Sequence, residues 1–285
     1  MSLSTNTIPP SETLLTMGVT RNLEHRTTFE HALKCGDLSQ RVIAARALGW
    51  LRDARCAPAL LLSLNDPEPD VRRWVTASLS LSWVAYGDFD LIERFAMESE
   101  GEVRAAILRT LGWHRSKTAA HLCLFALSND IDPEVRGEAA KALGRIDAQT
   151  YVSSLLDATK DDSASVRRHA IRSLMYLVDQ SSKTSPHPPP IRPILQVLLE
   201  CAYNDEDAEA RSVALRILTH DPAPKAYGCL ANALSDHNPC VRVNAVVALG
   251  QRGDLNALPL LKKHLSDPHL EVRARAREAI KNLET

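Results

Sequence analysis

The sequence is short of aromatic residues, which fill only 5% of its 285 positions. Strands draw on aromatic and β-branched side chains, so a chain dominated instead by Ala, Leu and Arg favours helices over sheets. No stretch approaches the ~20 consecutive apolar residues that a membrane-spanning helix needs, and no membrane association is expected. The opening Met1-Ser2-Leu3-Ser4-Thr5 has neither a basic region nor an apolar core. No signal peptide is therefore expected, and a cytoplasmic location is. An excess of one charge is also missing, because the formal net charge is −1. That excludes bulk attraction to polyanions or polycations and leaves any electrostatic function to the arrangement of the charges. The six cysteines (Cys35, Cys56, Cys123, Cys201, Cys229 and Cys240) form no CxxC pair and no other metal-ligand spacing. They read as reduced thiols of a helical core. GxSxG, HExxH and Gly-rich phosphate loops are absent too. Catalysis has no motif to rest on, and neither a metal nor a cofactor is expected.

What the chain does contain is a repeat. Eight times an Arg opens an Ala- and Leu-rich segment, at Arg41, Arg72, Arg104, Arg136, Arg167, Arg211, Arg242 and Arg273. The spacings are 31, 32, 32, 31, 44, 31 and 31 residues. Seven residues beyond each Arg stands Leu48, Leu79, Leu111, Leu143, Leu174, Leu218, Leu249 or Ile280. Gly follows directly at Gly49, Gly112, Gly144 and Gly250, where it is expected to stop a helix in the left-handed conformation. Six residues before each Arg sits an acid in seven copies: Asp66, Glu98, Asp130, Asp161, Asp205, Asp236 and Asp267, with Cys35 in the first. Each unit reads as two helices. The first is an apolar stretch, as at 57–64, 121–127, 151–158 and 257–265. The second starts at the Arg and is capped by pairs such as Asp132-Pro133 and Asn238-Pro239. Within the fourth copy Val135, Ala139, Ala142 and Leu143 share one face by 3–4 spacing. A single pair cannot bury such a stripe, so pairs must stack. Acids and arginines recurring along a stack are expected to form a ladder of charge-assisted hydrogen bonds, with Arg136 meeting acids such as Asp130.

The turn acid followed by Val-Arg resembles the signature of HEAT repeats. The ~31-residue period, with Asp132-Pro133-Glu134-Val135-Arg136 and Ala142-Leu143-Gly144, resembles the short phycobilisome-lyase-like subclass. This resemblance implies an all-α, right-handed α-α superhelix of about eight two-helix repeats. It covers residues 22–285. Residues 1–21 fall outside it and form an N-terminal segment and cap, with a short helix expected at 13–17. The longer 44-residue spacing places a Pro/Ser-rich insertion near 179–190, expected as an exposed loop.

The same resemblance implies that the second helices line a concave surface. Positions two, three, six and ten after the residue preceding each repeat Arg should face it. They carry Arg46, Trp50, Arg73, Trp74, Arg109, Trp113, Lys141, Arg145, Arg168, His169, Arg172, Tyr176, Arg216 and His220. Across the first six repeats Glu138 is the only acid at these positions. A near-neutral chain is thus expected to carry a basic, aromatic-studded groove, with Arg109, Lys141 and Arg172 pointing into open solvent. Trp, Tyr and Arg are the residues that anchor interfaces. The expectation is a monomeric, non-catalytic adaptor gripping an anionic partner, either an acidic protein segment or a nucleic acid. Two alternatives come from resemblance. One is a bilin lyase subunit or chromophore chaperone, whose flat, two-propionate pigment would suit Arg and aromatics. The other is a HEAT-like DNA-repair glycosylase. Deoxyhypusine hydroxylase has a similar architecture but uses His-Glu dipeptides for iron, and this sequence has none.

Overall fold

The computed structural model describes residues 7–81, 87–181 and 191–284. Among them are seventeen α-helices and no strand. The chain divides into two compact units, Met1–Asp147 and Ala148–Thr285.

In the first unit, α1 (Ser11–Thr20) precedes four helix pairs: α2 (Arg26–Cys35) with α3 (Leu38–Leu51), α4 (Ala57–Leu62) with α5 (Pro69–Leu81), α6 (Asp88–Met97) with α7 (Gly101–Trp113), and α8 (Ala120–Asn129) with α9 (Pro133–Asp147). The second unit repeats the scheme. It pairs α10 (Val152–Ala158) with α11 (Ala164–Ser181), α12 (Ile191–Asn204) with α13 (Ala208–Leu218), α14 (Pro224–Ala233) with α15 (Pro239–Arg252), and α16 (Leu258–Lys263) with α17 (Leu270–Glu284). Within each unit second helices pack on second helices, α3 on α5 on α7 on α9 and α11 on α13 on α15 on α17. The short N-terminal helix is longer than the expected 13–17 and docks on α3. The insertion expected near 179–190 begins inside α11, and its residues 182–190 lie outside the described ones.

The apolar stripe is where the spacing places it: Val135, Ala139, Ala142 and Leu143 are fully buried. Helix starts follow the expected chemistry as well. Pro133 and Pro239 open their helices, and the Asp132 and Asn238 side chains accept from the amides of Glu134 and Cys240. The glycines do something other than expected. α3, α7 and α15 run on past Gly49, Gly112 and Gly250, and left-handed backbone falls instead on Arg52, Arg115 and Gly253. A Cβ on Gly112 would stand 2.8 Å from the Ala142 Cα, and one on Gly250 2.7 Å from the Ala279 Cβ. These glycines let neighbouring second helices approach closely, so their absent side chain matters rather than their backbone freedom. The cysteines divide: Cys56, Cys123, Cys201 and Cys229 are buried, while Cys35 and Cys240 are exposed.

Within each unit the repeat Arg ties one pair to the next. Arg72, Arg104, Arg167, Arg211 and Arg242 each donate through Nη1 to two main-chain carbonyls of their own turn. The rest of each guanidinium forks onto the turn acid of the following pair: Glu98, Asp130, Asp205, Asp236 and Asp267 respectively, at 2.7–2.9 Å. Arg41 pairs with Asp66 more loosely, its Nη2 donating to Oδ1 at 3.4 Å and its Nε lying 2.9 Å from Oδ2. The pairing expected for Arg136 differs in detail. Its Nη1 donates to the Asp130 main-chain carbonyl, and the Asp130 carboxylate is held by Arg104 from the preceding pair. Each acid also accepts from the amide two residues on, as Glu98 does from Glu100.

Burial opposes ionisation of Glu98, but bonds from Arg72, the Glu100 amide and Arg94 outweigh it and hold its pKa at about 2, below the ordinary 4.5. Asp130, Asp205 and Asp236 are lowered by the same balance. A depressed carboxyl contributes stability that is complete above its unfolded pKa and lost as pH falls through its folded pKa. The stability advantage of the native chain over Glu98→Gln should therefore be largest at about pH 7 and shrink progressively from about pH 4.5 towards about pH 2. Urea unfolding of both proteins across that range checks this. A difference that does not change with pH would contradict it.

Candidate functional site: the face of the second helices

In the first unit α3 and α5 bring Arg46, Trp50, Arg73 and Trp74 into one stack. The Arg46 guanidinium lies 5.2 Å from the Trp50 ring and 4.5 Å from that of Trp74, and Arg73 covers Trp74 at 5.3 Å. Such contacts are attractive because the ring faces carry negative charge. Trp50 also packs towards α1, its ring 3.4 Å from where a Cβ on Gly18 would stand. It therefore helps hold the N-terminal helix as well as facing the site.

One turn of the stack further, α7 and α9 build a cluster around Glu138. Its side chain is 4% exposed, and its Oε1 accepts from Arg109 Nη2 and Lys141 Nζ, both at 2.9 Å. Burial opposes ionisation of this carboxyl, but the bonds from Lys141 and Arg109 hold its pKa below the ordinary value. Oε2 of Glu138 is buried and has no hydrogen-bond partner among the described residues. Beside it the Arg145 guanidinium lies 4.1 Å from the Trp113 ring, and that Trp is 58% exposed. Burial pushes the Arg145 pKa down, with Glu138 opposing and Arg109 adding to the fall. The Arg145 Nη1 is buried without a hydrogen-bond partner among the described residues.

Arg109 is exposed as expected and Lys141 is half-buried, but neither charge is free: both are held on a buried carboxylate. The one-sided charge is corrected as well. Arg73 pairs with Asp70 at 3.0 Å and lies 3.6 Å from Glu102, and Arg109 also reaches Glu134 at 3.5 Å. In the second unit Arg168 and Arg172 both pair with Glu209. Asp70, Glu102, Glu134 and Glu209 share one register, two residues before a repeat Arg. That register was not among the four positions considered, and its recurring acids were the available signal. Glu102, Glu134 and Glu209 each reach their arginine from the first turn of the next pair's second helix, whereas Asp70 shares α5 with Arg73.

In the second unit His169 is half-buried on α11; the side chain of Tyr176 lies outside the described residues. Arg216, near the end of α13, and His220, in the turn that follows it, are exposed. They line a cavity of about 260 Å³ together with Thr219 and with Asn244, Val247 and Gln251 of α15. A larger cavity of about 730 Å³, between α2 and α4 in the first-helix layer, had no signal in the repeat pattern. Leu33, Pro58 and Leu62 form its apolar lining, and the charges at its rim include the ion pair Arg26–Glu30. Among the described residues no cluster of three His, Cys, Asp or Glu could hold a metal ion, and no helix is long and apolar enough to cross a membrane.

Helix pairs of this kind, joined by an Arg–acid ladder, define a repeat protein of the HEAT type. The profile of HEAT repeats matches residues 90–175 and 195–281, more than half of the chain, and that of the PBS lyase HEAT-like repeat matches residues 40–66. The chain belongs to the HEAT-repeat family. No curated protein matches the sequence significantly. Solved structures are similar in fold. The Escherichia coli protein YibA has a TM-score of 0.64 at 16% identity, over 99% of both chains. Yeast importin-β, Kap95p, has a TM-score of 0.64 at 13% identity over 97% of this chain, which spans 43% of the importin. The complex of CpcE and CpcF of phycocyanin lyase from Nostoc gives a TM-score of 0.49 at 19% identity, covering 99% of this chain and 98% of that one.

Proposed function

We propose that the chain is a non-catalytic binding protein that holds an acidic segment of another protein on the face of its second helices. One observation carries this reading. In the first unit Arg109 and Lys141 share a single buried carboxylate, Glu138, and the nearby Arg145 keeps a buried N–H without a hydrogen-bond partner among the described residues beside an exposed Trp113. Cationic charge and an unmet donor next to an open aromatic surface suit an incoming carboxylate flanked by apolar atoms. A nucleic acid suits the face less well. Asp70, Glu102 and Glu134 lie along it, and a continuous phosphate backbone would be repelled where separate carboxylates can be accommodated between them.

The test is fluorescence anisotropy with a labelled glutamate-rich peptide. Binding should weaken with added salt. Arg145→Gln should lower affinity about tenfold, the scale of one charged hydrogen bond. Glu138→Gln, which removes the internal counter-charge, should raise it. Salt-independent binding, or an unchanged affinity in Arg145→Gln, would overturn the proposal. The match of residues 40–66 to a PBS lyase HEAT-like repeat supports a second reading, a bilin-handling protein. It requires a change in pigment absorbance when the chain is mixed with a bilin.

A further inference from the structure

We infer that the cavity between α13 and α15 in the second unit is a subsite for a carboxylate side chain of an acidic protein segment. This rests on the reading of the second-helix face as a binding surface and assigns a specific contact to it. Arg216 stands in the last turn of α13 and His220 in the turn that follows it, while Asn244, Val247 and Gln251 share one face of α15 by 3–4 spacing. The C-terminal end of α13 with its following turn and one face of α15 therefore meet at a shared cavity of about 260 Å³. That volume admits a side chain and not a helix. Neither Asp nor Glu is among the described lining residues, and no carboxylate among the described residues pairs with Arg216. This sets it apart from Arg168 and Arg172, which share Glu209.

The donor set fits an oxyanion. Arg216 offers a planar fork that can meet both oxygens of a carboxylate, and Gln251 carries an amide able to add a third bond. Asn244 already donates one N–H to the Cys240 carbonyl at 2.8 Å, which fixes its amide and leaves a second N–H. Charge selects among oxyanions. The cavity holds one fixed positive charge, matching the single negative charge of a carboxylate. A phosphomonoester brings about −1.5 to −2 and would remain under-compensated.

The experiment uses the full chain and three labelled probes: an oligo-glutamate peptide, an oligo-phosphoserine peptide and an oligo-glutamine peptide. The side-chain amide resonances of Asn244 and Gln251 are followed during each titration, and anisotropy gives the affinity. The glutamate probe should move both resonances, the glutamine probe neither. Arg216→Gln should abolish the movement and weaken the glutamate probe about tenfold. Unmoved resonances would overturn the assignment, as would a phosphoserine probe that moves them more strongly than glutamate does. If Arg145→Gln weakens the glutamate probe and Arg216→Gln does not, the subsite fails while the binding face stands. If neither variant weakens it, both fail.

Discussion

Replacing Arg72 with Ala should destabilise the protein by about 3–5 kcal/mol, the usual cost of breaking a buried ion pair from one side. The guanidinium is 8% exposed and the Glu98 side chain it grips is fully buried. Removing it strips two bonds from a carboxylate that burial already penalises, and leaves the Asp66 and Pro67 carbonyls without their donor. Arg94 still reaches Glu98 at 3.0 Å, which places the loss towards the lower end of that range. Arg73, the next residue, is a control of the same chemistry. It is paired at the surface with Asp70 and is 37% exposed, so Arg73→Ala should cost under about 1 kcal/mol. Equilibrium urea unfolding of the two variants decides the matter, and equal losses would show that the ladder contributes no more than a surface ion pair. Replacing both Arg72 and Glu98 by apolar residues of similar volume should recover much of the stability, because no unpaired charge then remains.

The triple variant Arg109→Glu, Lys141→Glu, Arg172→Glu should unfold at a clearly lower temperature than the native protein. From sequence alone the three positions read as charges pointing into open solvent, where reversal costs little. The structure places two of them on Glu138, so reversal puts three carboxylates together where one is already buried. A loss of about 3–5 kcal/mol is expected from the Glu138 cluster, and Arg172→Glu alone should contribute under about 1 kcal/mol because its pair with Glu209 is half exposed. Adding Glu138→Gln to the triple variant should restore part of the loss. Thermal unfolding of the single, triple and quadruple variants provides the check; a triple variant as stable as the native chain would mean that Glu138 does not depend on its cations.

The repeat was readable because two residue types with opposite charges recur in fixed register, and only stacked helix pairs bring that register into contact. Helix starts were readable for the same local reason, since Asp-Pro and Asn-Pro carry their capping chemistry in adjacent residues. The glycines misled because Leu-Gly has two uses. Beside a neighbouring helix, as Gly112 is beside Ala142, the residue answers to packing across the stack, and local sequence carries no trace of that neighbour. The left-handed positions at Arg52 and Arg115 were unreadable, because arginine rarely adopts that conformation. At the candidate site the basic and aromatic residues were visible, but their counter-ions were not. Glu102, Glu134 and Glu209 enter from the following pair and neutralise a face that looked one-signed when each helix was considered singly.

The ladder has a direction. Within each unit an internal pair offers an acid to the pair before it and a guanidinium to the pair after it, so one repeat carries both halves of the connection. Any internal repeat of this kind can therefore follow another, and duplicating or deleting an internal copy leaves the remaining ladder charges matched. A gene built in this way can change length in whole units of about 31 codons, the period of its sequence, without passing through a protein that strands a buried ion.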